Sequence, residues 1–145
     1  MTRTLPRTSR SLPIALLRAR EQVMGPVRAM LTDVGITEQQ WRVLRVLDED
    51  GPQDPTRIAE QACLLLPSLT RILQNLESKG LIERETDPSD RRRQIVGVTS
   101  DGKKIISDNL HKSIALLEAT RARLGPEKYE TLLDLLNELD DHDDH

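Results

Sequence analysis

The sequence predicts a mainly α fold with a small β element, of the α+β type, and three features of the sequence support this. Apolar residues recur at three- and four-residue spacing along most of the 145 residues, the period of helices with one buried face. Two short alternating stretches, 82–86 and 94–98, flank Asp87-Pro88-Ser89-Asp90, a run with turn chemistry. Glycine and proline at Gly25-Pro26, Gly51-Pro52, Gly80 and Gly125-Pro126 cut the remainder into pieces of helical length. A chain of this size predicts one domain with an added oligomerisation element.

Composition narrows the class. There is no phenylalanine, and Trp41 and Tyr129 are the only aromatic residues, so the core is built from Leu, Ile, Val and Ala. Cys63 is the single cysteine, which excludes an intrachain disulfide and a CxxC metal site. No window approaches a membrane span, and the start, MTRTLPRTSR, lacks the apolar run of a secretory signal, so a cytoplasmic location without membrane contact is expected. His142 and His145 lie in the acidic stretch DDHDDH, read as a solvated tail at 142–145 rather than a metal site. No metal or cofactor is expected.

Residues 1–10, rich in Arg, Thr, Ser and Pro, predict a flexible basic arm. Ser11 is placed to cap a first helix reaching about Asp33, with the apolar positions Leu12, Leu16, Ala19, Val23, Val27, Met30, Leu31 and Val34 on one face. Gly25-Pro26 predicts a kink or brief break in it, because proline removes a donor and clashes with the preceding turn. Thr37-Glu38-Gln39-Gln40 fits a capping box for a second helix, with Trp41, Leu44 and Leu47 pointing inward. Asp54 as N-cap with Pro55 behind it starts a shorter third helix through Ile58, Ala59 and Ala62.

A fourth helix spans roughly Pro67 to Lys79 and stops at Gly80, with Leu69, Ile72, Leu73 and Leu76 on its buried side. Ser68, Thr70, Arg71, Gln74, Asn75 and Ser78 remain on the other side, and these are donors suited to phosphates and base edges. The two strands follow directly, with Arg91, Arg92 and Arg93 at the tip of their hairpin. Three adjacent cations repel one another and gain nothing from a core, whereas a narrow minor groove attracts arginine. Asp90 is placed to hold Arg92 in one rotamer. A polar-fronted helix followed by a basic hairpin is the plan of a winged helix-turn-helix, which puts the helix in the DNA major groove. The formal net charge of −3 does not oppose this, since leaving out Asp140, Asp141, Asp143 and Asp144 moves it to +1, and local field governs phosphate contact. In such a protein the arm at 1–10 is either a disordered leader or a further phosphate or minor-groove contact.

Thr99 or Ser100 caps a long helix through about Arg123, and Gly125-Pro126 starts a last one containing Tyr129, Leu132, Leu133, Leu135, Leu136 and Leu139. Together with the first helix, these carry more apolar face than the winged region can cover. A homodimer resolves the excess, with 11–35 and 100–141 as dimerisation helices around a winged helix-turn-helix at 36–99.

Asp87 to Gly102, DPSDRRRQIVGVTSDG, preceded by LPSLTRILQNLESKGLI, resembles the wing and recognition helix of the MarR family of bacterial transcription regulators. The likeness extends over nearly the full chain. IALLRARE, ITEQQWRVLRVL and ACLLLPSLTRIL further resemble the repressors of homoprotocatechuate and 4-hydroxyphenylacetate degradation operons. The resemblance implies a homodimer on a palindromic double-stranded operator, repressing an aromatic-acid catabolic operon and released by a small aromatic acid. It places Pro67, Ser68, Thr70 and Arg71 at the major groove and Arg91 and Arg92 at the minor groove; Asn75 and Arg93 join them from the residue reading. Gly97 departs from the family pattern, where a longer residue is usual, and is expected to loosen the hairpin.

The family's effectors bind between the dimer helices and the winged domain, and an aromatic acid asks for a cation and apolar walls. Arg18, Arg20, Arg42 and Arg45 are the cations near those surfaces and Trp41 the ring, so Arg20, Trp41 and Arg45 are the expected effector contacts. Two alternatives stand beside that: Trp41 as a core residue of the second helix, and Arg20 in an internal ion pair. Cys63, just before the recognition helix, is expected to be a buried, inert thiol rather than a redox sensor. No Gly-rich phosphate loop, metal-ligand spacing or Ser/His/Asp grouping is present, so no enzyme is expected. A winged module used only for protein contacts is the remaining rival.

Overall fold

The computed structural model describes residues 4–140, which form two compact units, one running through Leu110 and the other starting at His111. Arg3 of the arm and the tail with His142 and His145 lie outside the described residues. After a 3-10 turn at Thr8–Arg10, the first unit contains α1 (Leu12–Thr32), α2 (Glu38–Asp50), α3 (Pro55–Ala62), α4 (Leu66–Ser78), the strands β1 (Ile82–Asp87) and β2 (Asp90–Val98), and α5 (Ser100–Asp108). From the boundary onward come α6 (Leu110–Leu124) and α7 (Pro126–Leu139).

Local chemistry sets most of these limits. At the start of α2 the Gln40 N–H donates to Thr37 Oγ1 at 3.1 Å, and the Thr37 N–H donates to Gln40 Oε1 at 3.1 Å, completing the expected capping box. The Arg57 N–H donates to Asp54 Oδ1 at 2.9 Å, capping α3. The end of α4 is a Schellman motif: Gly80, at φ +75, donates to the Glu77 carbonyl and Leu81 to the Leu76 carbonyl. Leu81 and Leu76 are both buried there, the apolar contact that fixes where the chain leaves the helix.

α1 is continuous through Gly25-Pro26, so of the expected kink or break the break does not occur. The carbonyl that Pro26 leaves without its helical donor belongs to Gln22, an exposed residue. Conversely, the long helix expected from Thr99 to Arg123 is interrupted at Asn109. The Asn109 side chain donates to the Ile105 carbonyl at 2.8 Å while its N–H turns to Ile106 at 3.2 Å, so the amide competes with the helical pattern.

The core of the first unit gathers around α2 and α4. Leu31, Val43, Leu44, Leu47, Ile58, Leu69, Leu73, Leu76 and Val96 are at most 1% exposed, so each of α1 to α4 and β2 contributes an anchor. Ile72, expected inside, is half-buried. The wing is fastened from outside its own hairpin. Gln53, just before α3, exchanges backbone hydrogen bonds with Val96 of β2 at 3.0 and 2.9 Å. Thr99 donates through its hydroxyl to the Gly80 carbonyl at 2.7 Å and caps α5 by accepting from Gly102. Gly102 is there because nothing larger fits: a Cβ would stand 2.4 Å from the Leu81 oxygen and 2.5 Å from Val98 Cγ2. At Gly97, which pairs with Glu83 of β1, a Cβ would meet only Pro52, at 3.6 Å, an ordinary contact distance.

The apolar faces expected to pair are exposed. On α1, Leu12, Leu16, Leu17 and Val23 are between 40% and 66% exposed. Neither α6 nor α7 has a buried residue. Helices of that length are marginal in water without a buried face.

Candidate functional site

The polar front of α4 is presented as expected. Pro67, Thr70, Arg71 and Asn75 are exposed and Ser68 is half-buried. The Thr70 hydroxyl donates to the Leu66 carbonyl at 3.1 Å, leaving its lone pairs outward. Leu65 occupies the N-cap and supplies no side-chain acceptor, so the first amides of α4 are unpaired by any cap at the positive end of the helix dipole. Arg71 makes no ion pair among the described residues. It borders a groove of about 320 Å³ with Gln39, Ser68 and Asn75, which sets α2's start beside α4.

The wing arranges its arginines more finely than a tip. Thr86 pairs with Gln94 and Asp87 with Asp90, so Arg91, Arg92 and Arg93 have no partners on β1 and bulge from the edge. Asp87 organises the turn by accepting from the Ser89 N–H at 2.9 Å and the Ser89 hydroxyl at 2.8 Å, and these bonds hold its carboxyl below the usual range. Arg92 projects outward with its side chain 92% exposed, and Asp90 touches it at 3.4 Å, the expected local hold. Arg91 is also exposed.

Arg93 departs from the group. Its Nη2 donates to Asp54 Oδ2 at 2.5 Å and its Nη1 lies 3.8 Å from Asp87. Asp54 is held below the usual carboxylate range first by the Arg57 N–H and then by this guanidinium. One carboxylate therefore caps α3 and tethers the wing to it, and Arg93 is already neutralised. Sequence spacing gives no sign of a partner thirty-nine positions away. The same cleft, about 730 Å³, is bordered by Thr56 and Arg57 of α3, Leu66 of α4 and Arg91 to Arg93. Arg57, exposed on a helix read only as scaffold, is the cation that sequence reasoning missed; its place at the third position after the Asp54 cap was the available signal.

A second site lies between α1 and α2. A cavity of about 410 Å³ is lined by Arg20, Met24 and Val27 from α1 and by Glu38, Trp41, Arg42, Arg45, Val46 and Glu49 from α2. The three residues expected for an effector, Arg20, Trp41 and Arg45, thus share one cavity, while Arg18 lines no part of it. Trp41 is 8% exposed, a core residue of α2 that also lines the cavity. Arg20 has the internal ion pair, with Nη2 2.6 Å from Glu38 Oε2. Arg28 and Arg42 also approach Glu38, at 3.5 and 3.9 Å. Burial pushes the Glu38 carboxyl up, but the Arg20 hydrogen bond and the charges of Arg20, Arg42 and Arg28 hold it below its ordinary value.

Cys63 contradicts the expectation of a buried thiol. It is exposed, at the C-cap of α3 with φ 56 and ψ 50, where a left-handed backbone turns its side chain out of the core. Among the described residues no group of three or more His, Cys, Asp or Glu is placed to hold a metal ion. Likewise, no described helix is long and apolar enough to cross a membrane.

The MarR family model matches residues 36–93, the region from the start of α2 to the bulge of the wing. The chain is 42% identical to the HTH-type transcriptional regulator FarR of Neisseria gonorrhoeae, over 89% of its own length and 88% of the relative's. It is 36% identical to the homoprotocatechuate degradative operon repressor of Escherichia coli, covering 88% of this chain and 86% of that one. Among solved structures, NadR in complex with 4-hydroxyphenylacetate superposes with a TM-score of 0.84 at 38% identity, covering 99% of this chain and all of the other.

Proposed function

The chain belongs to the MarR family and is a DNA-binding transcriptional regulator rather than an enzyme; from that premise we propose that it is a homodimeric repressor of an aromatic-acid catabolic operon, homoprotocatechuate-type, released when a phenolic or aromatic carboxylate enters the α1–α2 cavity. It acts in the cytoplasm, where bacterial operators lie. Residues 36–99 form the DNA-binding region, with Pro67, Ser68, Thr70, Arg71 and Asn75 at the major groove and Arg91 and Arg92 at the minor groove. Residues 11–35 and 100–141 form the dimer, which covers the exposed leucines of α1, α6 and α7; sedimentation at twice 16.4 kDa checks it.

The cavity carries the effector reading. It offers one indole edge, the aliphatic walls of Met24, Val27 and Val46, and three arginines against two carboxylates, Glu38 and Glu49. That is the chemistry an aromatic ring with a carboxylate asks for. Similarity to an operon repressor for homoprotocatechuate and to a structure holding 4-hydroxyphenylacetate supports the same class of ligand.

Thermal shift with 4-hydroxyphenylacetate and with the neutral 4-hydroxyphenylethanol tests this. At a hundredfold excess over Kd the acid is expected to stabilise by about 2.7 kcal/mol, a rise of roughly 5 to 10 °C, and the alcohol far less. No rise with any phenylacetic or catecholic acid refutes the effector class.

A further inference from the structure

We propose that Arg42 passes occupancy of the α1–α2 cavity to the recognition helix α4, an inference that rests on reading this cavity as the effector site. Arg42 lines the cavity and also reaches from α2 to the end of α3. Its Nη1 donates to the Ala62 carbonyl at 2.6 Å and approaches the Cys63 carbonyl at 3.4 Å. These are carbonyls of the last turn of α3, which lack intrahelical donors. Arg20, by contrast, pairs with Glu38 and reaches neither α3 nor α4.

The turn that Arg42 holds is a tense one. Cys63 stands in the left-handed region, which is disfavoured for a residue carrying a Cβ, and α4 begins three residues later at Leu66. Anything that alters this turn alters how α4 leaves α3.

The other edge of the guanidinium makes no hydrogen bond among the described residues. Arg42 Nε is buried with no acceptor among the described residues, and Nη2 has only Glu38 at 3.9 Å. Nε and Nη2 together form the side-on fork that pairs with a carboxylate through two parallel hydrogen bonds. Because Nε is buried, offering that fork to an acid in the cavity requires the guanidinium to turn. Turning withdraws Nη1 from Ala62 and Cys63. The two positions of one side chain are thus alternatives: carbonyl-bound with the turn held, or acid-bound with the turn released. An effector that favours the second shifts the population away from the arrangement that fits DNA.

The test uses the full-length protein, 4-hydroxyphenylacetate as probe, and a duplex selected from random sequence by the wild type. DNA affinity is measured with and without saturating probe, and probe affinity by calorimetry. Wild type is expected to lose at least about fivefold in DNA affinity on saturation. Arg42→Gln keeps one donor nitrogen but no fork; it is expected to bind the probe more weakly and, once probe is raised to saturation, to show the DNA-affinity ratio reduced below about twofold. A ratio equal to that of wild type overturns the proposal. If Arg42→Gln does not melt cooperatively, Arg42→Met takes its place, since it keeps an apolar stem and offers no donor to either the carbonyls or a carboxylate; the same two outcomes decide.

Backbone exchange at Leu64 gives an arm free of any effector. Its N–H donates to the Ala59 carbonyl across the turn at 2.9 Å. Faster exchange in the Arg42 variant supports the hold, and exchange equal to wild type overturns it. A wild type that binds no aromatic acid refutes the effector reading instead, and is recognised by the calorimetry.

Discussion

Arg92→Ala isolates what the wing contributes to DNA binding. The Arg92 side chain is 92% exposed and touches only Asp90, so its removal leaves the packing of the wing intact. Each phosphate neutralised on duplex DNA adds about −0.9 to the slope of log affinity against log salt. A dimer presents two copies, so the slope of the variant is expected to be shallower by about 1.8. Across a fourfold rise from 50 to 200 mM salt, the wild type then loses about 12-fold more affinity than the variant. Fluorescence anisotropy on a labelled operator duplex over that range reads the difference. Arg93→Ala serves as the comparison: its guanidinium is already engaged by Asp54 and Asp87, so its slope stays near the wild-type value. Identical slopes for wild type and Arg92→Ala would refute the wing contact. A drop with Arg93→Ala as large as with Arg92→Ala would refute the assignment of Arg93 to tethering.

Gly102→Ala places a Cβ 2.4 Å from the Leu81 oxygen and is expected to destabilise by about 1 to 3 kcal/mol despite alanine's better helix propensity, while Gly97→Ala stays near neutral; urea midpoints in the opposite order contradict the packing described. Cys63→Gly relieves a left-handed Cβ and is expected to raise stability by about 1 kcal/mol, whereas Cys63→Ala keeps the strain and gains nothing. Asp54 is held low by the Arg57 N–H and Arg93, so its folded pKa lies below its unfolded one. Its contribution is therefore complete above about pH 4 and fades as pH falls through the folded value. Asp54→Ala is expected to cost about 1 kcal/mol near neutrality from the lost cap, with the gap closing in acid; a gap constant with pH contradicts it.

What the sequence disclosed was decided within a few residues. Thr37 with Gln40, Asp54 with Pro55, and Gly80 after α4 each act through neighbours on the chain, and each forms as expected. Asn109 shows where that locality fails. It sits in an apolar-periodic stretch, and the helix is interrupted where its side-chain amide takes the Ile105 carbonyl. Arg93 shows the larger gap. Three adjacent arginines read alike on the chain, but a carboxylate from α3 captures one and leaves two. The cavity residues Arg20, Trp41 and Arg45 were found together, yet the hold of Arg42 on the end of α3 crosses twenty positions and has no signature in spacing.

The most direct measurement is anisotropy on DNA from upstream of the protein's own gene, at fixed salt, with and without 4-hydroxyphenylacetate. Specific binding that weakens by at least about fivefold as the acid saturates is the predicted result. Binding that the acid leaves unchanged, or no preference for this DNA over an unrelated duplex, would contradict an aromatic-acid-responsive repressor.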